Sequence, residues 1–383
     1  MIDKDRMTEY VMDLIRIDSP SRREREVALK LKKDMEDIGG RCVFDSVDKK
    51  VGSNVGNLIV KIKGNTEGVS PFFLSAHMDT VSPGEGIKPR IVDGIIRSDG
   101  TTILGSDDKS GIAIIVEVVR TLKERNIPHG DIEIAFTVCE EIGLLGARYM
   151  DCSVFNSRYG VVLDSGSPYH LITKCPSAKR LEFKVYGLEA HAGVCPERGI
   201  NAIKVASDAI SRMRLGRIDF ETTANIGIIE GGVATNIVPG YVRVVGEARS
   251  HSEEKLLDQV EHMKRCFVES VAEYKLNLEG KHYSARVEEL IEKSYDRMNV
   301  SPEAKVVRLL THAARELGYH VELHASGGGC DANYFNKKGI ECVNLGTGMK
   351  EIHTLNEYLV LEEFYHAAEI ILQTIKLNAL NTL

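Results

Sequence analysis

No C-x-x-C pair occurs among the eight cysteines, and no long basic run interrupts a chain whose formal net charge is −7. The missing pairs fit reduced thiols in a cytosolic chain better than a disulfide framework, and the scattered cysteines read as core fillers. The missing basic run, with a pI near 6.0, excludes nucleic acid or an anionic membrane as the main partner. Long apolar runs are also lacking. The strongest, Ile112 to Val119, is broken by Glu117 and is far too short to span a bilayer. Met-Ile-Asp-Lys-Asp-Arg at the start carries charge from its third residue, which reads against a secretory signal and for a cytoplasmic chain. No internal repeat or low-complexity tract appears.

What is present is ordinary globular composition, 43% hydrophobic and 27% charged over 383 residues. That length suggests two or three domains at about 150 residues each. Val11, Leu14 and Ile15 predict a first helix. Val27, Leu31, Met35 and Ile38 predict a second, with Ser21 and Glu24 as a capping box and Gly39-Gly40 as its stop. Strands are expected at 58–62, 72–76, 131–138 (alternating) and 160–163, with a helix buried through Ile112, Ile115, Val116 and Val119. Strands alternating with helices predict an α/β layer with a mainly parallel sheet flanked by helices. Ligands bind such sheets beyond the carboxyl ends of the strands.

The middle has a different rhythm: strands at 180–186, 225–229, 233–238 and 242–248, and helices at 201–213 and 253–273. Beyond about 290 the α/β pattern returns, with a helix at 302–317, strands at 320–324 and 341–345, and a last helix from Leu361. The expected organisation is a catalytic domain made of residues 1–176 and 290–383, interrupted by a smaller α/β sandwich at 177–289.

Chemistry gathers where apolar strands run out. His77 and Asp79 end the first such strand, and a carboxylate two residues from a histidine is suited to fixing its ring for metal binding. Asp107 and Asp108 sit between a glycine turn and a helix, Glu140-Glu141 follow the alternating strand, Asp164 ends a short apolar strand, and His353 lies past the last strand. Each piece alone recurs by chance. Together, carboxylates gathered at one sheet edge are costly unless paired or metal-bound. Two histidines with several carboxylates are the ligand set of a dinuclear hydrolase, in which the ions acidify a shared water and polarise a carbonyl. A free carboxylate must then move the proton, and the adjacent Glu140-Glu141 pair suits a division into base and ligand.

At these residues the chain resembles the M20 metallopeptidase family, most closely its peptidase T-like branch. The stretches that carry the likeness are Ser-Ala-His77-Met-Asp79-Thr-Val, Leu-Gly-Ser-Asp107-Asp-Lys-Ser-Gly, Glu140-Glu141-Ile-Gly-Leu-Leu-Gly-Ala, Leu-Asp164-Ser-Gly and Ile-His353-Thr. The resemblance implies that Asp107 bridges two divalent ions, with His77 and Asp164 on one and Glu141 and His353 on the other. Zinc is the default, and cobalt or manganese also suit such oxygen-rich sites. It further implies Glu140 as general base, Asp79 as the residue orienting His77, and a cis peptide at Asp107–Asp108.

The inserted segment resembles a lid used for dimer contacts and closure over substrate. Its His191 would stabilise the tetrahedral oxyanion. Asn236 and Arg249 would contact substrate, Arg249 by gripping a peptide carboxylate. The glycine loop Ser326–Gly329 would let backbone approach substrate. His129, His170, His262 and His282 read as surface or loop residues. The implied activity is release of an N-terminal residue from short peptides by a homodimer. The alternatives are a carboxypeptidase or N-acyl amino acid deacylase on the same centre and, remotely, a non-catalytic peptide-binding scaffold.

Overall fold

The computed structural model describes residues 1–380. They form two compact units. The first comprises Met1–Cys175, Met298–Ser326 and the described residues from Cys330 onward; the second comprises Pro176–Arg297 with Gly327–Gly329. The second unit runs past the expected boundary at 289. Arg286–Tyr295 is a ten-residue strand pairing along Ser177–Tyr186, so position 289 falls in its middle.

A nine-stranded sheet organises the first unit. At its centre Ile132–Thr137, Phe72–His77, Tyr159–Ser165 and Glu341–Gly346 lie side by side and parallel. Leu58–Ile62 and Arg41–Phe44 extend one side antiparallel. On the other side stands His170–Cys175, antiparallel to Glu341–Gly346 and Met298–Asn299 and parallel to Glu322–Ala325. Phe72–His77 and Ile132–Thr137 are buried at every position, as strands covered on both faces must be. The strict alternation in Ile132–Thr137 therefore does not mark a solvent face. Glu133 is buried and satisfied by Lys61 and by Ser157.

Helix Ser106–Glu124 packs on this sheet with Ile112, Ile115, Val116 and Val119 buried, as predicted. Lys4–Ile15 and Leu361–Leu380 pack against it. Helix Arg25–Asp37 begins at Glu24, but the capping box does not form. Ser21 Oγ instead donates to Asp79 at 2.6 Å, and Glu24 accepts from the amides of Arg22 and Cys139. Both side chains are drawn to the centre described below, a stronger demand than a helix end that water can satisfy.

In the second unit a five-stranded antiparallel sheet, ordered Gly216–Arg217, Thr222–Gly231, Tyr241–Ser250, Ser177–Tyr186 and Arg286–Tyr295, carries helices Ala202–Ser211 and Glu253–Glu273. Its core includes Leu181, Phe183, Val244, Leu256 and Phe267, with the rings of Phe183 and Phe267 stacked at 4.1 Å. The strand expected at 233–238 shrinks to Ile237–Val238, because its partner Ala190–His191 is only two residues long. Among the described residues no helix is long and apolar enough to cross a membrane.

Candidate active site

The carboxyl ends of the central parallel strands converge on one cluster. Phe72–His77 delivers His77, Tyr159–Ser165 delivers Asp164, and the turn after Ile132–Thr137 delivers Glu140 and Glu141. Asp107 stands at the mouth of helix Ser106–Glu124 in non-helical backbone, and the Asp107–Asp108 peptide is cis. His353 follows the short strand Met349–Lys350 with φ of +63°.

Asp107 lies between the two histidines. Its Oδ1 is 3.0 Å from His77 Nε2, and its Oδ2 is 3.1 Å from His353 Nε2. Asp164 Oδ1 lies 3.9 Å from His77 Nε2, and Glu141 Oε1 lies 2.9 Å from His353 Nε2. Two triads thus share Asp107: His77, Asp107 and Asp164 on one side, and Asp107, Glu141 and His353 on the other. Within each triad, one ligand atom per residue lies within 4.8 Å of the others.

Electrostatics follow from crowding acids in a buried place. Desolvation, then the charges of Glu140 and Asp107, pushes the Asp164 carboxyl well above its ordinary value. Desolvation also raises Glu140, with the nearby charges of Asp331, Glu141 and Asp79 adding to it against the pull of His77. Burial alone would raise Asp107 too. The hydrogen bonds from His353 and His77 outweigh it and hold that carboxyl below the carboxylate range. Bonds to Asp107 and Glu141 lift the His353 imidazole to about 10. Acids forced towards protonation beside imidazoles forced towards charge make a site that cations would relieve. Two imidazole nitrogens among carboxylate oxygens fit borderline divalent ions.

The supports behind these groups were only partly visible in the sequence. His77 Nδ1 sits 2.9 Å from the backbone oxygen of Asp79 and 3.5 Å from its carboxylate, so the carbonyl is the nearer partner of the ring. The Asp79 carboxylate also accepts from the amides of Glu140 at 2.9 Å and Glu141 at 3.2 Å and from Ser21. It fixes the loop carrying the glutamates.

Glu357 escaped sequence reasoning. It is buried and accepts from the amides of Leu104, Gly105 and Asp107 and from Ser106 Oγ, cradling the turn that presents Asp107. Its only signal was nearness to His353. Asn344 brackets Asp164 through both its amide and its carbonyl. Asp108 accepts from the His77 amide at 3.1 Å. Asp331 is buried, accepts from Thr137 through Oδ2, and leaves Oδ1 without a hydrogen bond; burial pushes its carboxyl up to about 6.

The residues expected from the inserted segment lie in the second unit. His191 is exposed on the short strand Ala190–His191, and its Nδ1 accepts from the Gly193 amide at 3.2 Å. Asn236 lies next to it, its carbonyl accepting from the Ala192 amide. Arg249 already grips a carboxylate within its own unit, donating to Glu247 at 3.0 Å, beside a cavity lined by Thr223, Asn225 and Gly327. In the glycine loop, the close approach is to Tyr295. A Cβ on Gly329 would meet that ring at 2.5 Å, and the Gly329 amide donates to the Tyr295 hydroxyl. His129, expected at the surface or in a loop, lies in a loop but is buried, with Nδ1 against the Gly130 carbonyl.

Comparison with known proteins agrees with this geometry. The profile of Peptidase family M20/M25/M40 matches residues 73–377, and the chain belongs to that family. A "Peptidase T" from Fusobacterium nucleatum subsp. nucleatum is 30% identical, over 98% of this chain and 97% of its own length. Among solved structures, an aminopeptidase PepT from Bacillus cereus is 41% identical with a TM-score of 0.86. A tripeptidase from Staphylococcus aureus is 36% identical with a TM-score of 0.91. Each of the two structures is covered over 99% of both chains. Within the family the chain falls in the peptidase T-like branch.

Proposed function

We propose that the chain is a two-metal aminopeptidase that releases the N-terminal residue of short peptides, tripeptides among them. The observation that carries the reading is Asp107, whose two oxygens face two different histidines at 3.0 and 3.1 Å. His77 and Asp164 would complete one divalent ion's protein ligands, and Glu141 and His353 the other's. Zinc is the favoured ion, with cobalt or manganese acceptable to the same donors. Ions held there would acidify a water and polarise the scissile carbonyl.

Glu140 then acts as general base. It takes the proton from the attacking water and delivers it to the leaving amine. Glu140 is buried beside Glu141 and its amide is held by the Asp79 carboxylate at 2.9 Å, which fixes the loop that presents it. His191 donates to the developing oxyanion, where a fixed donor is worth most. Asn236 and Arg249 contact the substrate, and Arg249 must give up part of its pairing with Glu247 to bind a peptide carboxylate.

The second unit serves as the lid and as the surface of a homodimer, and exposed Ile228, Ile229, Val233 and Leu290 support such a contact. Eight free cysteines fit a reducing, cytoplasmic setting. The test is hydrolysis of a free tripeptide, its N-acetylated form and its amidated form, with zinc, cobalt or manganese supplied. Cleavage lost on N-acetylation supports an aminopeptidase. Preference for the acetylated peptide overturns it in favour of a deacylase or carboxypeptidase.

A further inference from the structure

On the far side of the first unit's sheet order from Arg41–Phe44, a second group of metal-binding side chains stands apart from the catalytic cluster. Strand Glu322–Ala325 runs parallel to His170–Cys175, with Glu322 opposite His170 and His324 opposite Ile172. Side chains two apart share a face of a strand. Glu322 and His324 therefore project together beside His170, and His320 precedes Glu322 by the same spacing.

The resulting contacts are close. The imidazoles of His170 and His324 stack at 4.1 Å between centroids, with an interplanar angle of 28°. Glu322 Oε2 lies 3.3 Å from His324 Nε2, and its Oε1 lies 3.8 Å from His320 Nε2. One ligand atom each from His170, Glu322 and His324 lies within 4.8 Å of the others. His170 and Glu322 are exposed and His324 is half-buried, so the rings have room to turn out of their stack and point nitrogens, with the Glu322 carboxylate, at one ion at the ~2.0–2.1 Å that zinc requires.

We infer that His170, Glu322 and His324 form a peripheral site for a borderline divalent ion of the zinc, nickel or copper class. Nitrogen donors outnumber oxygen here, which disfavours calcium and magnesium. Among the described residues, Glu322–Ala325 pairs only with His170–Cys175, an edge position that hydrogen bonds hold from one side. An ion bound across the two strands ties that edge to the sheet. It also adds to the metal content of zinc-rich preparations without serving catalysis.

The site is tested on the full-length protein. The chain is saturated at its tightest sites by dialysis against buffered zinc, then titrated with further zinc by calorimetry, with bound metal counted by elemental analysis. The parent should take up roughly one further zinc per chain that a His170→Ala/His324→Ala double variant does not. Glu322→Gln should weaken that event about tenfold or more, the scale that loss of even a supporting group produces. The double variant should keep its circular dichroism and its peptidase rate, because none of these residues lies in the catalytic cluster. Equal further uptake by parent and double variant overturns the site. Comparing parent with variant keeps the outcome independent of how many ions the catalytic centre holds.

Discussion

The two units support their candidate residues in opposite ways. In the first, His77, Asp164 and the Glu140-Glu141 pair sit at or just past the ends of buried strands and Asp107 at the mouth of a buried helix, braced from behind by Asp79, Glu357, Asn344 and Glu24. Most of those braces accept from backbone amides, so they fix the main chain as well as the side chain. In the second unit His191 and Asn236 stand on two-residue strands or beside them, and the His191 imidazole is held by its own turn, accepting from the Gly193 amide. Groups that hold ions and move protons must be placed to within a fraction of an ångström. Groups that meet the substrate need less bracing before it arrives.

That contrast can be broken by substitution. Glu140→Ala should cut kcat by about 10⁴-fold, the upper range for a general base, with metal content unchanged in elemental analysis. A normal rate would sink the base assignment. Removing bound metal with a chelator should abolish turnover equally, and readding zinc should restore it, as followed by peptide hydrolysis. His191→Ala should lower kcat by about 10²–10³-fold with folding and metal content intact, the cost of losing one oxyanion donor. Glu357→Gln leaves one acceptor oxygen for four donors and should cost about 1–3 kcal/mol of stability, visible as a lower midpoint in urea. Ser21→Ala removes one hydrogen bond to Asp79, for about 1 kcal/mol and a small loss of rate. If Ser21→Ala cost more activity than His191→Ala, the contrast between the units would be reversed.

Most ligand stations were legible because they follow short apolar runs, and strand ends in a parallel sheet gather on one side; Asp107 was marked instead by the glycine turn before its helix. The cis peptide at Asp107–Asp108 came through family resemblance and is present in the structure, where Asp107 lies between His77 and His353. The braces were not legible. Glu357 meets Ser106 across 251 positions of chain, a pairing that no local pattern announces. Ser21 and Glu24 carried a local signal that pointed the wrong way, since a capping box and a distant hydrogen bond ask for the same residue types. Period-two alternation found the strand Ile132–Thr137 but carried no sign that Glu133 is buried and paired with Lys61.

Glu357 lies four residues beyond His353 on one stretch of chain, yet it grips the turn that carries Asp107. The gap across the centre is therefore gauged by a single short segment, one end supplying an imidazole and the other locking the partner it faces. Any insertion between Thr354 and Asn356 would throw both jaws out of alignment together. Variation in the surrounding loops has to go around that segment rather than through it.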